Sequence, residues 1–198
     1  MIPVMLQPEP AEFDKKVRQP GYKWLADHDI DPALEPPSPS ELPAYWQKTT
    51  EKLWDAYSGV CAYLAIYFDF PSGAGSTDHF IAKSSRAGDA YEWSNYRLAC
   101  LGANRAKNKF DDVLDPFKIK PDTFELNLVN GQIQPGQLLS VAERKAAQKT
   151  IDRLHLDSAQ HRRMRQNAFT RYLRKQDEET LKELSPFVWY EANRQGLL

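Results

Sequence analysis

The chain has 198 residues, and its 26 Lys and Arg nearly balance its 27 Asp and Glu. Hydrophobic residues make up 41% and aromatics 12%, enough for a core and too many for a disordered chain. A mean hydropathy of -0.64 with no apolar run of ~18 residues excludes a spanning helix and gives no membrane partner. Met1 to Gln7 lack the basic stretch of a signal peptide. Cys61 and Cys100 cannot form a disulfide framework, so a reducing cytoplasm is expected.

In chain order, residues 1–43 come first, with nine of the fourteen prolines and eight acids against four bases. Prolines fix φ and remove amide donors, so regular structure is not expected in this arm. Phe13, Val17, Tyr22, Trp24 and Leu25 are nevertheless too apolar for a solvated tail, and imply an arm packed on its own body. Trp46, Thr50, Leu53, Trp54 and Tyr57 follow the spacing of one buried helix face, with Gly59 placed to end it. Cys61 to Phe68 is aromatic and branched and reads as a strand. A turn over residues 71–75 leads to a second short strand, Thr77 to Ile81. An irregular loop over 82–94 precedes a third strand, Tyr96 to Cys100, and a short helix over 102–110 follows.

Beyond Phe117 the pattern is helical. Ser140 and Glu143 make a capping box ahead of a stripe of Ala147, Ile151 and Leu154. Asp157 and Gln160 offer a second helix start, with Met164, Ala168 and Tyr172 on one face. Residues 143–175 carry ten Lys or Arg and three acids. Such a face is either solvated or a surface for DNA. The expected organisation is a proline-rich arm (1–43), a core with its preceding helix (44–118) and a helical region (119–198), of α+β class.

Chemistry concentrates between Asp78 and Lys109. A carboxylate (Asp78) and an amide oxygen (Asn104) are hard ligands suited to Mg²⁺ or Mn²⁺. A neutral imidazole beside them (His79) can take a proton from water near pH 7. Arg97, Arg105, Lys107 and Lys109 stand in a stretch without acids and would welcome a polyanion. Metal, base and cationic helix together are equipment for hydrolysing a phosphodiester. Bland roles exist beside these: Asn95 as a turn residue, Asn104 as a helix cap.

At Thr77-Asp78-His79-Phe80-Ile81, Glu92-Trp93-Ser94-Asn95 and Asn104-Arg105-x-Lys107 the sequence resembles the HNH endonucleases, whose core is the ββα-metal fold. Sixteen residues separate His79 from Asn95, and nine separate Asn95 from Asn104, which fits that pattern. Tyr91 to Asn95, Leu98-Ala99-Cys100 and Leu114 to Phe117 resemble a narrower branch that includes HNH subunits of Septu and retron-linked phage-defence systems. The resemblance runs over residues 57–118 and thins outside them.

The resemblance implies that Asp78 and Asn104 ligate one divalent metal and that His79 activates the attacking water. Asn95 would hold the His-bearing loop, and the products would carry 5′-phosphate and 3′-hydroxyl ends. Adjacent strand residues point to opposite faces, so Asp78 and His79 converge on one metal only if the backbone bends there. Relatives often carry two C-x-x-C knuckles for a structural zinc. Here Leu64 and Ala103 stand where the second cysteines would be, so no structural zinc is expected. The implied partners are DNA, an ATPase or sensor subunit of a defence complex, or a second copy of the chain. The alternative is an HNH module that binds nucleic acid or a partner without cutting.

Overall fold

Phe13, Val17 and Leu25 are fully buried, and their burial draws the proline-rich start of the chain into helix. A computed structural model describes residues 1–72 and 74–198. It divides into two units, one comprising Leu6–Gly59 and Asp69–Asp111, the other Met1–Met5, Val60–Phe68 and Asp112–Leu198. The sequence suggested three consecutive segments. Instead most of the arm belongs with the strands of the first unit, and the chain changes unit near residue 111. Among the described residues the architecture is mixed helix and sheet, of α+β kind.

In the first unit, a wide helical turn at Asp14–Arg18 runs into α1 (Gln19–Asp27), correcting the expectation of an arm without regular structure. Pro20 has no amide to donate, and it follows directly on the wide turn, whose last bond runs from the Gln19 amide to Asp14 O. The arm packs as expected: the Phe13 ring meets Trp93 and Tyr96 edge-on at 5.5 and 5.6 Å. A Cβ at Gly21 would lie 2.2 Å from the Tyr91 ring, so only glycine admits that ring against α1. The expected helix over 46–57 is a 3-10 turn, Tyr45–Thr49, followed by α2 (Thr50–Ala56).

β1 (Gly75–His79) pairs antiparallel with β2 (Tyr96–Cys100), and α3 (Leu101–Lys107) follows directly. β2 has the expected bounds. β1 begins and ends two residues before the expected Thr77 to Ile81, because Asn95 takes the backbone of Ile81 by its side chain. Of the expected turn over 71–75, Gly73 lies outside the described residues, and Phe70–Ser72 form a 3-10 turn.

In the second unit, Cys61 to Phe68 is a tight reversal, not a strand. The Cys61 amide donates to Ile66 O (2.9 Å) and the Ala65 amide to Cys61 O (2.8 Å), with Ala65 at φ 49°. The run is apolar because Cys61, Ala62 and Tyr63 are all buried, and burial alone does not tell strand from turn. Cys61 is buried outside any disulfide, and its sulfur receives the Leu64 amide.

A hairpin of β3 (Phe124–Leu126) and β4 (Ile133–Pro135) interrupts the region expected to be helical. Its strands are only three residues long, too short to show alternation. α4 (Val141–Arg153) starts at Ser140 with both bonds of the capping box formed. α5 (Ala159–Lys175) is capped by Ser158 rather than Asp157, whose carboxylate instead receives the Ile133 amide and Arg162. α6 (Glu178–Leu184) and α7 (Pro186–Arg194) complete the unit.

Candidate active site

β1 and β2 fix the two neighbouring candidate residues by register. His79 lies opposite Tyr96, and Asp78 opposite Arg97, so each pair leaves one face of the ladder. No bend interrupts the pairing through His79, and Asp78 and His79 therefore leave opposite faces.

His79 is half-buried between Trp46 and Tyr96, whose rings meet it edge-on at 4.7 and 5.1 Å. Its Nε2 lies 3.1 Å from Ala90 O, and a carbonyl can only accept, so Nε2 carries the proton. The Tyr96 hydroxyl donates to that same oxygen at 2.7 Å, which fixes the acceptor in turn. Burial, with the nearby Lys83 and Lys107 charges in support, lowers the imidazole to about 4. His79 is thus neutral at pH 7, and Nδ1 accepts no hydrogen bond among the described residues.

Asn95 holds the loop that supplies Ala90. Its Oδ1 accepts from the Ile81 amide (2.8 Å), and its Nδ2 donates to Ile81 O and Asp89 O (both 2.9 Å). The Asn95 carbonyl also receives the Phe80 amide at 2.9 Å. One buried side chain thereby joins the end of β1 to the segment before β2. Its turn role and its positioning role coincide.

Asn104 sits at mid-α3, where its Nδ2 donates to Ser76 Oγ (3.0 Å) and Thr77 O (3.4 Å). Its Oδ1 accepts nothing among the described residues. Asp78 is 2% exposed, with Lys107 Nζ 3.4 Å from its Oδ1. Thr77, Asp78, His79 and Asn104 line one cleft of about 520 Å³, with Arg105 and Lys109 at its edge.

Two of the four cations expected to meet a polyanion are corrected by burial. Arg97 is 3% exposed, donates from Nη1 to Ser94 O (2.9 Å) and Tyr96 O (3.1 Å), and lies over the Phe80 ring. Lys107 is wholly buried and donates to His79 O at 2.9 Å. Neither reaches a ligand outside. Arg105 and Lys109 are exposed and make no ion pair among the described residues.

Sequence reasoning missed Lys83, which lines the cleft with its ammonium 4.7 Å from the Trp46 ring centroid. Its place in the loop four residues after His79 was a usable signal. Trp46 fitted its helix stripe so well that its cleft position was hidden.

No protein-family model and no curated protein matches the chain.

The donor set suits a hard divalent ion. Such an ion takes one or two carboxylates and fills its shell with carbonyl oxygens and water. Asp78 and the open Oδ1 of Asn104 supply that minimum in one cleft. Among the described residues no group of three His, Cys, Asp or Glu gathers, so an ion here would have few protein ligands.

Proposed function

We propose that the chain is a metal-dependent HNH-type endonuclease that hydrolyses phosphodiester bonds in DNA. The observation that carries this reading is the state of His79: neutral, its Nε2–H committed to Ala90 O, its Nδ1 left to accept, in the cleft that Asp78 and Asn104 also line. Asp78 and His79 are neighbours that leave β1 on opposite faces, yet both line this cleft together with Asn104; their roles are those that the HNH resemblance assigns.

His79 Nδ1 takes the proton of the attacking water. Tyr96 and Asn95 keep the imidazole and its carbonyl partner in place, so no reorganisation is needed when the proton moves. Arg105, Lys109 and Lys83 draw the nucleic-acid backbone to the cleft. Asp78 and Asn104 are the residues that would hold Mg²⁺ or Mn²⁺. When bound, such an ion supplies the charge that stabilises the transition state and the leaving 3′ oxygen. The defence-complex role, with an ATPase or sensor as partner and self-assembly as an alternative, rests on the sequence resemblance alone.

A second reading, a module that binds without cutting, is favoured by one observation: Asp78 is 2% exposed and already faces Lys107. An ion would have to share that carboxylate with the ammonium. Cleavage of supercoiled plasmid with Mg²⁺ or Mn²⁺, with EDTA and His79→Ala as controls, separates the two. Nicking only by the natural chain with metal supports the nuclease. Tight DNA binding without cutting under every metal supports the binding module.

A further inference from the structure

A second groove belongs to the other unit. It measures about 710 Å³ and runs along α5 and α6. Its floor is apolar: Met164, Ala168 and Tyr172 recur every four residues on α5, facing Leu181 and Leu184 of α6. Met164, Ala168 and Leu184 are half-buried, so the floor remains open to a ligand.

Beside this stripe runs a second one at the same interval, Arg163, Asn167, Arg171 and Lys175, all four lining the groove and all exposed. α5 holds six Lys or Arg and no acid. Arg162 pairs with Asp157, and Arg165 is buried on Gly131 O and Leu156 O. Arg163, Arg171 and Lys175 make no ion pair among the described residues. The one acid lining the groove, Asp177, caps α6 by accepting from Thr180 at both oxygens, and only the field of Lys175 reaches it.

We propose that this groove is a docking site for an acidic segment of a partner protein that carries large apolar side chains. The unanswered positive rim calls for carboxylates, and the floor calls for aliphatic or aromatic groups between them. From Arg163 to Lys175 the rim extends about 18 Å, which about twelve helical or five extended residues would cover. A nucleic-acid backbone would answer the rim but leave the floor without a partner. Of the two tyrosines lining the groove, Tyr172 is 5% exposed and Tyr67 is half-buried, so a strand of bases would find at most one open ring to stack on. The site stands independently of the nuclease reading, since no residue of the candidate active site takes part in it.

Fluorescence anisotropy on the full chain tests this with three labelled probes. The first is a helical peptide of about twelve residues, with Leu every fourth position between glutamates. The second is the same peptide with Gln for Glu, and the third a single-stranded oligonucleotide of equal charge. The acidic peptide is expected to bind at micromolar concentration. Arg171→Glu should weaken it about tenfold, mostly through a slower, salt-sensitive on-rate. Ala168→Trp, which fills the floor, should abolish it. Thermal melts confirm that the variants fold, and Lys175→Glu on the exposed rim replaces Ala168→Trp if that one does not. Equal binding of the Gln peptide overturns the proposal, as does no binding of the acidic peptide at about 200 μM, where even weak encounters register. Tighter oligonucleotide binding that survives Ala168→Trp also overturns it and makes the helix a nucleic-acid surface.

Discussion

Cations do opposite work in the two units. Around β1, β2 and α3 two of the four are drawn inward, while Arg105 and Lys109 stay exposed: Lys107 is fully buried on His79 O and Asp78, and Arg97 is buried on Ser94 O and Tyr96 O. Along α5 only Arg165 is used this way, and Arg163, Arg171 and Lys175 stay exposed. Both stretches look alike as runs of bases without acids. What separates them is the supply of acceptors. In the first unit Asp78 and a line of carbonyls at the strand ends face the helix, whereas α5 presents its outer side to solvent. A cationic run therefore marks a ligand surface only where the protein offers no internal partner.

The largest expected effect is at the most buried cation. Lys107→Met leaves the Asp78 carboxylate without its ammonium and should cost about 4 kcal/mol in urea unfolding. Arg171→Met on the exposed rim should cost under about 0.5 kcal/mol. Equal losses would break the contrast. The next effect is pH dependence. Burial lowers His79 to about 4, against 6.5 for the free side chain. Between those values the unfolded chain takes up a proton that the folded one refuses, so stability is complete above 6.5 and falls as pH drops toward 4. The loss over that window is on the order of 3 kcal/mol, and urea midpoints of His79→Ala should lack this slope.

Asn95→Ala should cost about 2 kcal/mol by removing three hydrogen bonds from buried backbone, and plasmid cleavage should fall with it. Asn167→Ala, on the α5 rim, should leave the melting temperature unchanged. The smallest effects belong to the cleft edge. Arg105→Ala and Lys109→Ala should alter stability by less than about 0.5 kcal/mol. Each should reduce the salt dependence of oligonucleotide binding by about 0.9 in log–log slope. The same measurement on Lys107→Arg, which keeps the buried charge, should show no change in slope.

Much of the candidate site was legible because its residues carry their own local signals. Asp78-His79 follows a turn, Asn95 precedes a strand whose bounds were read correctly, and Asn104 lies on the helix expected after it. The capping box at Ser140 was likewise visible, since both of its partners lie within one turn. Contacts between distant residues were not. Lys107 meets Asp78 across 29 positions, so its burial left no trace in the surrounding sequence. The strand expected at Cys61 to Phe68 failed for a related reason: a run buried on all sides loses the alternation that tells strand from turn.

The reversal at Val60–Phe68 also bears on how the chain comes into being. It belongs to the unit completed by Asp112–Leu198, and the Tyr67 amide donates to Leu184 O, 117 positions later. On the ribosome, these apolar residues emerge long before the helices that will cover them. The unit of β1 and β2, by contrast, has all its parts once Asp111 has appeared. A chain cut short near residue 118 would thus carry a β1–β2 unit that can close while its sticky segment waits for a partner not yet made.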